Sequence, residues 1–263
     1  MDLDLTGKHA LVCGGSQGIG FAAAIELALL GANVTLLARS SDTLRQALSS
    51  LPGSNDPARR HGAISVDMSD LAALTAQVAA LAHNQPVQIL VNNSGGPPGG
   101  PAHTAKSEDF ESAFRQHLLA GQALVQAVLP GMRESGWGRI VNVISTSVRE
   151  PIVNLGVSNT VRGAVASWAK TLSRELGPLG ITVNNVLPGY TRTQRLEQIL
   201  ADRARATGSD EAAVARQMLA TVPAGRFADA SEIAAAIAFL ASPAAASING
   251  VSLAVDGGRM QSI

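Results

Sequence analysis

The stretch Lys8-His-Ala-Leu-Val-Cys-Gly-Gly-Ser-Gln-Gly-Ile-Gly20 decides the reading of this chain. His9 to Cys13 is a short apolar run of strand length. It enters glycines at 14, 15, 18 and 20, and a helical pattern follows from Phe21. A strand that turns through glycines into a helix leaves the first helical N–H groups aimed at the turn. Their partial positive charge, with no side chains in the way, suits a phosphate group. The spacing G-x-x-x-G-x-G at Gly14, Gly18 and Gly20 differs from the more general G-x-G-x-x-G of dinucleotide sites. Plain tight turns also use glycine, so the loop needs support from the rest of the chain.

Working outward, strand and helix patterns alternate. Apolar strands are predicted at Asn33–Ala38, Ala63–Val66, Val87–Val91, Arg139–Ile144, Ile181–Leu187 and Val251–Val255. Helices are predicted at Phe21–Leu30, Ser41–Leu51, from Ser69-Asp70 to about Ala82, Phe110–Arg133, Val157–Leu176 and Ser231–Leu240, the last with a capping pair at Ser231 and Glu232. Asn92 to Pro101 is too rich in proline and glycine for regular structure. Leu196–Leu219 carries two charged helical patterns broken at Thr207-Gly208-Ser209, and about 191–223 reads as a helical lid. The chain, 1–263, reads as one domain.

Continuous Val, Leu and Ile strands, each followed by a helix, indicate a parallel sheet covered on both faces. Such a sheet binds ligands at the carboxyl ends of its strands. Gly14–Gly20, Arg39, Asp67, Asn92–Gly95, Ser145 and Pro188-Gly189 all fall on that rim, which favours a dinucleotide. Ala38 and Arg39 stand where an acidic residue would select NAD. An alanine leaves room there, and a guanidinium can grip a 2′-phosphate. The expected cofactor is therefore NADP(H); the alternative is that Arg39 is only a solvated strand-end residue.

Composition excludes other classes. Lys and Arg together number 20, as do Asp and Glu, so no electrostatic case exists for nucleic acid or an anionic membrane. No apolar run is long enough to span a bilayer, and the acidic start lacks the layout of a signal peptide. The single cysteine, Cys13, ends a predicted buried strand and is expected to be inert; one thiol suits a reducing cytoplasm. No metal site is expected.

The segments CGGSQGIG, NNSG, NVIS, VNNVLPGYTRT and INGVSLAVDGG resemble those of the short-chain dehydrogenase/reductase family, in particular its 3-oxoacyl-acyl-carrier-protein reductase branch. The resemblance implies a Rossmann-type, doubly wound, seven-stranded sheet. It also implies a homotetramer or homodimer joined through the two long helices, and reduction of a small-molecule or acyl-carrier-bound carbonyl substrate. Carried over, Gly14, Ser16, Gln17, Gly18, Ile19 and Gly20 would cradle the cofactor, with Arg39, Asp67 and Met68 toward the adenine end. Asn93, Ser94 and Gly95 would line the adenosine side, and Pro188, Gly189 and Thr193 the nicotinamide end.

The catalytic pattern departs from the family, which uses an Asn, a Ser and a Tyr-x-x-x-Lys pair. Ser145 matches the serine, but Ser158 stands at the tyrosine position, Arg162 at the lysine and His117 at the asparagine. A phenol has a pKa of about 10 that cations can lower, whereas an aliphatic hydroxyl is far less acidic. His117, with an ordinary pKa of about 6.5, is a candidate proton donor; so is a water held by Ser158 and Arg162. A packed histidine is the plainer reading. Tyr190, the sole tyrosine, is expected to serve packing. Two functions stay open: an NADPH-dependent reductase, most naturally of a 3-oxoacyl thioester, or a non-catalytic NADP(H)-binding relative with a sensing or structural role.

Overall fold

The computed structural model describes residues 1–262. The strands are β1 (His9–Cys13), β2 (Asn33–Ala38), β3 (Gly62–Ser65), β4 (Ile89–Asn92), β5 (Gly138–Val143), β6 (Ile181–Pro188), β7 (Thr191–Arg192), β8 (Ala228–Asp229) and β9 (Ser252–Val255). Seven of them make one sheet in the order β3-β2-β1-β4-β5-β6-β9, every pair parallel. Strand order reverses between β1 and β4, which opens a crevice at their carboxyl ends.

The helices are α1 (Gly18–Leu29), α2 (Ser41–Ser49), α3 (Leu71–Asn84), α4 (Ser107–Phe114), α5 (Ala120–Glu134), α6 (Gly156–Leu176), α7 (Gln194–Thr207), α8 (Glu211–Leu219) and α9 (Ala230–Ala241). Each crossover puts a helix against one face of the sheet. Residues pointing to one face, such as Val12, Leu36, Val91 and Val186, pack with Leu27 of α1 and Ile237 of α9. Leu11, Leu37, Leu90 and Ile140 point the other way, onto Val78 of α3 and Leu124 of α5. Burial on both faces explains why these strands lack polar alternation. No helix among the described residues is long and apolar enough to cross a membrane.

Four sequence expectations need correction. Helix α1 starts at Gly18, because the last glycines of the loop already form its first turn. The helix predicted over Phe110–Arg133 is interrupted: a π-helical turn, Arg115–Leu119, joins α4 to α5. Periodicity cannot reveal one inserted residue, and such turns recur at functional sites. The cap of α9 is Asp229, whose N–H donates to the Glu232 carboxylate at 2.8 Å, and Ser231 lies inside the helix. Finally, β7 and β8 pair in a small parallel ribbon that no apolar run announced.

That ribbon forms the base of the α7–α8 unit. Gly208, at φ +64°, turns the chain between these helices. Leu196, Ala204, Val214, Met218 and Phe227 give the unit its own small core. Ile237 is fully buried between α9 and α1. Truncating it leaves a cavity, so Ile237→Ala should lose about 2–5 kcal/mol in urea unfolding, with the fold retained.

Candidate functional site

The glycine loop is shaped by close approach. A side chain at Gly14 (φ +57°) would stand 2.6 Å from Asn93 Nδ2, and one at Gly20 would stand 2.8 Å from the same atom and collide with the Gly14 carbonyl. Asn93 Nδ2 donates to the Cys13 carbonyl at 3.3 Å, tying the end of β4 to the loop. The first backbone bond of α1 runs from Phe21 N–H to the Gln17 carbonyl, so the amides of Gly18, Ile19 and Gly20 have no backbone acceptor. Gln17 caps nothing and no acidic side chain occupies the first turn. A loop without side chains before three free N–H groups fits an anionic diphosphate. Ser16 is half-buried, Gln17 is exposed, and Ile19 packs on the core below.

At the end of β2, Arg39 is exposed and makes no ion pair among the described residues. Asp67 lies beside it in the next loop, its carboxyl held below the usual range by N–H and O–H bonds from Ser69 and, less, by Arg39. Met68 is buried beneath. Gly95 is exposed, with nothing near the position of a Cβ. Across the crevice, Gly189 N–H donates to the Val255 carbonyl at 3.0 Å after Pro188 ends β6. The Thr193 methyl lies 3.4 Å from where a Gly18 side chain would begin. Of the residues expected to bind the cofactor, Gly14 and Gly20 thus meet Asn93, and Gly18 meets Thr193. Cys13, just before the loop, is buried, with its thiol pushed up to about 12 by burial, which leaves it inert at neutral pH.

An amide ladder runs beneath the rim. Asn92 Nδ2 donates to Asn142 Oδ1 (2.8 Å), Asn142 Nδ2 to Asn185 Oδ1 (3.0 Å), and Asn185 Nδ2 to Ser252 Oγ (3.1 Å). These residues are register partners on β4, β5, β6 and β9. The ladder has a signal in the sequence, an asparagine at the same depth in three strands, but register is needed to recognise it. Its free end, Asn92 Oδ1, is buried without a partner, as is His117 Nε2. Both residues line a cavity of about 20 Å³ with Ser94, Asn142 and Arg162, enough for one water.

Ser145 follows β5, and its Oγ accepts from Ser147 N–H at 3.1 Å. Ser158 sits in the first turn of α6, only 8 % exposed. The start of that helix is pinned by Gly156 N–H to the Gly100 carbonyl at 2.9 Å. Arg162, one turn on, donates from Nε to Ser158 Oγ at 3.2 Å and from Nη1 to the carbonyls of Ile144 (2.6 Å) and Val143 (3.3 Å). It therefore clasps the end of β5, just before Ser145, to the turn of α6 that carries Ser158. Burial, and then the charge of Arg195, lower its pKa to about 10, so it remains cationic at neutral pH.

His117 does not suit the donor role that its ordinary pKa suggests. The π-helical turn aims its ring inward, where Nδ1 lies 2.8 Å from Ser94 Oγ. Burial, with the Arg162 charge second, lowers its pKa to about 3. It is neutral at working pH and carries no proton of useful acidity. Tyr190 packs edge-on against Phe227, ring centres 6.2 Å apart, under the Arg259 guanidinium. Sequence reading missed Arg195, in the first turn of α7, whose Nη2 donates to the Pro97 carbonyl at 2.9 Å and so bridges the crevice. Only the tertiary approach of α7 to the loop after β4 singles it out.

A family model described as enoyl-(acyl carrier protein) reductase matches residues 14–259. The chain is 36% identical over 259 residues to the 3-oxoacyl-[acyl-carrier-protein] reductase FabG of Vibrio cholerae, covering 97% of this chain and 98% of that one. It is 31% identical to gluconate 5-dehydrogenase of Gluconobacter oxydans, over 97% and 95% of the two chains. The crystal structure of L-sorbose reductase from Gluconobacter frateurii, complexed with NADPH and L-sorbose, superposes with a TM-score of 0.92 at 29% identity, each chain covered completely. Sheet order, glycine loop and these similarities agree: the chain belongs to the short-chain dehydrogenase/reductase family, and it is an oxidoreductase.

Proposed function

We propose that the protein reduces a carbonyl compound with NADPH, and that Ser145, Ser158 and Arg162 hold the carbonyl oxygen. The carrying observation is the hydrogen-bond state of the two serines. Each Oγ accepts an N–H bond, from Ser147 and from Arg162 respectively, and neither hydroxyl proton is committed to a protein acceptor. Both protons are available to a substrate oxygen, next to a guanidinium that stays charged. Fixed donors of this kind stabilise an oxyanion as it develops.

NADPH, when bound, supplies the hydride that reaches the carbonyl carbon. The chain's part is to place the carbonyl, exclude water beneath the α7–α8 lid and bear the charge on oxygen. No side chain here replaces the acidic phenol, and neutral His117 does not deliver a proton. The proton for the product oxygen is taken from a water at the Ser158–Arg162 end of the site. His117 and Ser94 instead position the cavity's polar end.

The choice of NADP(H) is supported by exposed, unpaired Arg39 after the small Ala38, and by the NADPH complex of the sorbose reductase. A 3-oxoacyl thioester is the first substrate class to try, in keeping with the 3-oxoacyl relative; the gluconate and sorbose relatives extend the panel to hydroxylated carbonyls. The enzyme would work in the cytoplasm. Copies would associate as a dimer or tetramer through α4–α5 and α6, where Leu119 is left 44 % exposed. The non-catalytic reading draws on the replaced tyrosine and lysine, and turnover separates the two.

Three outcomes are expected. Removing one oxyanion donor, as in Ser145→Ala, should lower kcat by about 10²–10³ with NADPH affinity unchanged in fluorescence titration; undiminished turnover would remove the serine from the site. Arg39→Asp should weaken NADPH relative to NADH, and an unaltered ratio would return Arg39 to a solvated role. His117, whose folded pKa of about 3 lies below 6.5, makes the unfolded chain the better proton acceptor between those values. Stability therefore falls as pH drops through that window. Urea unfolding at about pH 7 and about pH 5 should show a smaller loss in His117→Asn than in the parent.

A further inference from the structure

Two guanidinium groups converge on Gly96 without a counter-ion. Arg162 Nη2 lies 3.5 Å, and Arg195 Nη2 3.8 Å, from the point where a Cβ on Gly96 would stand. The ion pairs among the described residues are Arg45–Asp42, Arg192–Asp229, Arg205–Asp202 and Arg226–Glu232, so neither arginine is neutralised. Arg162 uses Nε and Nη1 on Ser158 and on the end of β5, which leaves Nη2 uncommitted. Arg195 spends one bond on the Pro97 carbonyl.

The placement runs against local electrostatics. Arg195 is the second residue of α7, at the positive end of the helix, where a cation is unfavourable. It is held toward a second cation, and the repulsion is large enough to contribute to the lowered pKa of Arg162. Gly96 adds no side chain to fill the space between them. Two unneutralised guanidiniums around an open point form a receptor for an oxyanion, to which Arg162 offers its uncommitted Nη2 and Arg195 the N–H groups not spent on Pro97. Arg162 also donates to Ser158, so that point lies beside the hydroxyls assigned to the carbonyl oxygen.

We propose that Arg162 and Arg195 together bind a carboxylate on the substrate, which makes the substrate an oxo acid whose anionic group sits close to its ketone. The inference rests on the reductase reading of the same rim and narrows it. A thioester offers no charge at that distance from its ketone, whereas a free 2- or 3-oxo acid does. The other source of an oxyanion is the diphosphate of the cofactor, since Thr193 of the same turn lies over Gly18.

The test uses the full-length protein, with and without saturating NADP⁺, and follows thermal unfolding against oxalate, pyruvate and benzoylformate. Benzoylformate methyl ester and chloride at matched ionic strength are the controls. A ligand that binds the folded state raises Tm by mass action. At least one of the acids should raise Tm in the NADP⁺-loaded protein while the ester and chloride do not. Arg195→Gln, at an exposed position, should weaken that acid about tenfold or more with NADP⁺ affinity unchanged. Equal effects of acid and ester, or no shift with any of the three acids beyond chloride, would overturn the proposal. Loss of NADP⁺ affinity in Arg195→Gln, with acid binding intact, would assign the pair to the cofactor's phosphates. A parent protein that binds no NADP⁺ would remove the reductase reading itself; oxalate on the cofactor-free protein still tests the anion receptor.

Discussion

Everything at the rim depends on how closely the glycine loop approaches its neighbours. The Gly14 carbonyl and Asn93 leave no room for a Cβ on Gly20, so β1, the start of α1 and the end of β4 are locked at backbone distance. That contact holds the unpaired amides of α1 over the crevice between β1 and β4. A bulkier loop would tilt α1 away from the sheet and disturb its packing on α9. The same few atoms therefore serve both stability and binding, which is why glycine is needed at positions where an ordinary turn would accept many residues.

A second constraint reaches across the sheet. The interior of a parallel sheet is apolar on both faces, and buried asparagines such as Asn142 and Asn185 are costly there unless their amides are satisfied. The ladder from Asn92 to Ser252 meets that condition and fixes the relative depth of four strand ends. Arg162 completes the arrangement from above by capping the last carbonyls of β5. At the position where the family resemblance expects a lysine, this chain has a guanidinium partly spent on structure, and one of its bonds fixes Ser158, the serine proposed to hold the carbonyl oxygen. Loss of the phenol is thus accompanied by a rearranged donor set rather than by an empty place.

Burial decides which titratable groups are useful. Cys13 and His117 both have nucleophilic or acid–base chemistry in principle. Desolvation raises the first and lowers the second until neither changes charge near neutral pH. Arginine resists the same pressure because its ordinary pKa starts so high. The charge beside Ser158 is accordingly positive, on Arg162 with Arg195 near it, which biases that end of the site toward oxyanions, while Asp67 stays anionic elsewhere on the rim.

Sequence alone determined the fold class and marked the sheet edge at which a cofactor is expected, because these follow from local patterns: apolar runs of strand length, glycine spacing, and polar residues where each run stops. The family resemblance, carried over by register within one helix, put Ser158 and Arg162 where the family's tyrosine and lysine are expected. What periodicity could not convey was the π-helical turn at Arg115–Leu119, which carries His117 beside Ser94 in the small cavity, where burial lowers its pKa to about 3. Nor could it foresee that Arg195 would meet Arg162 over Gly96, or that Asn142 would join Asn92 and Asn185. Those relations join residues far apart along the chain, and only the packing of α7 against the loop after β4, and of strand on strand, brings them within reach.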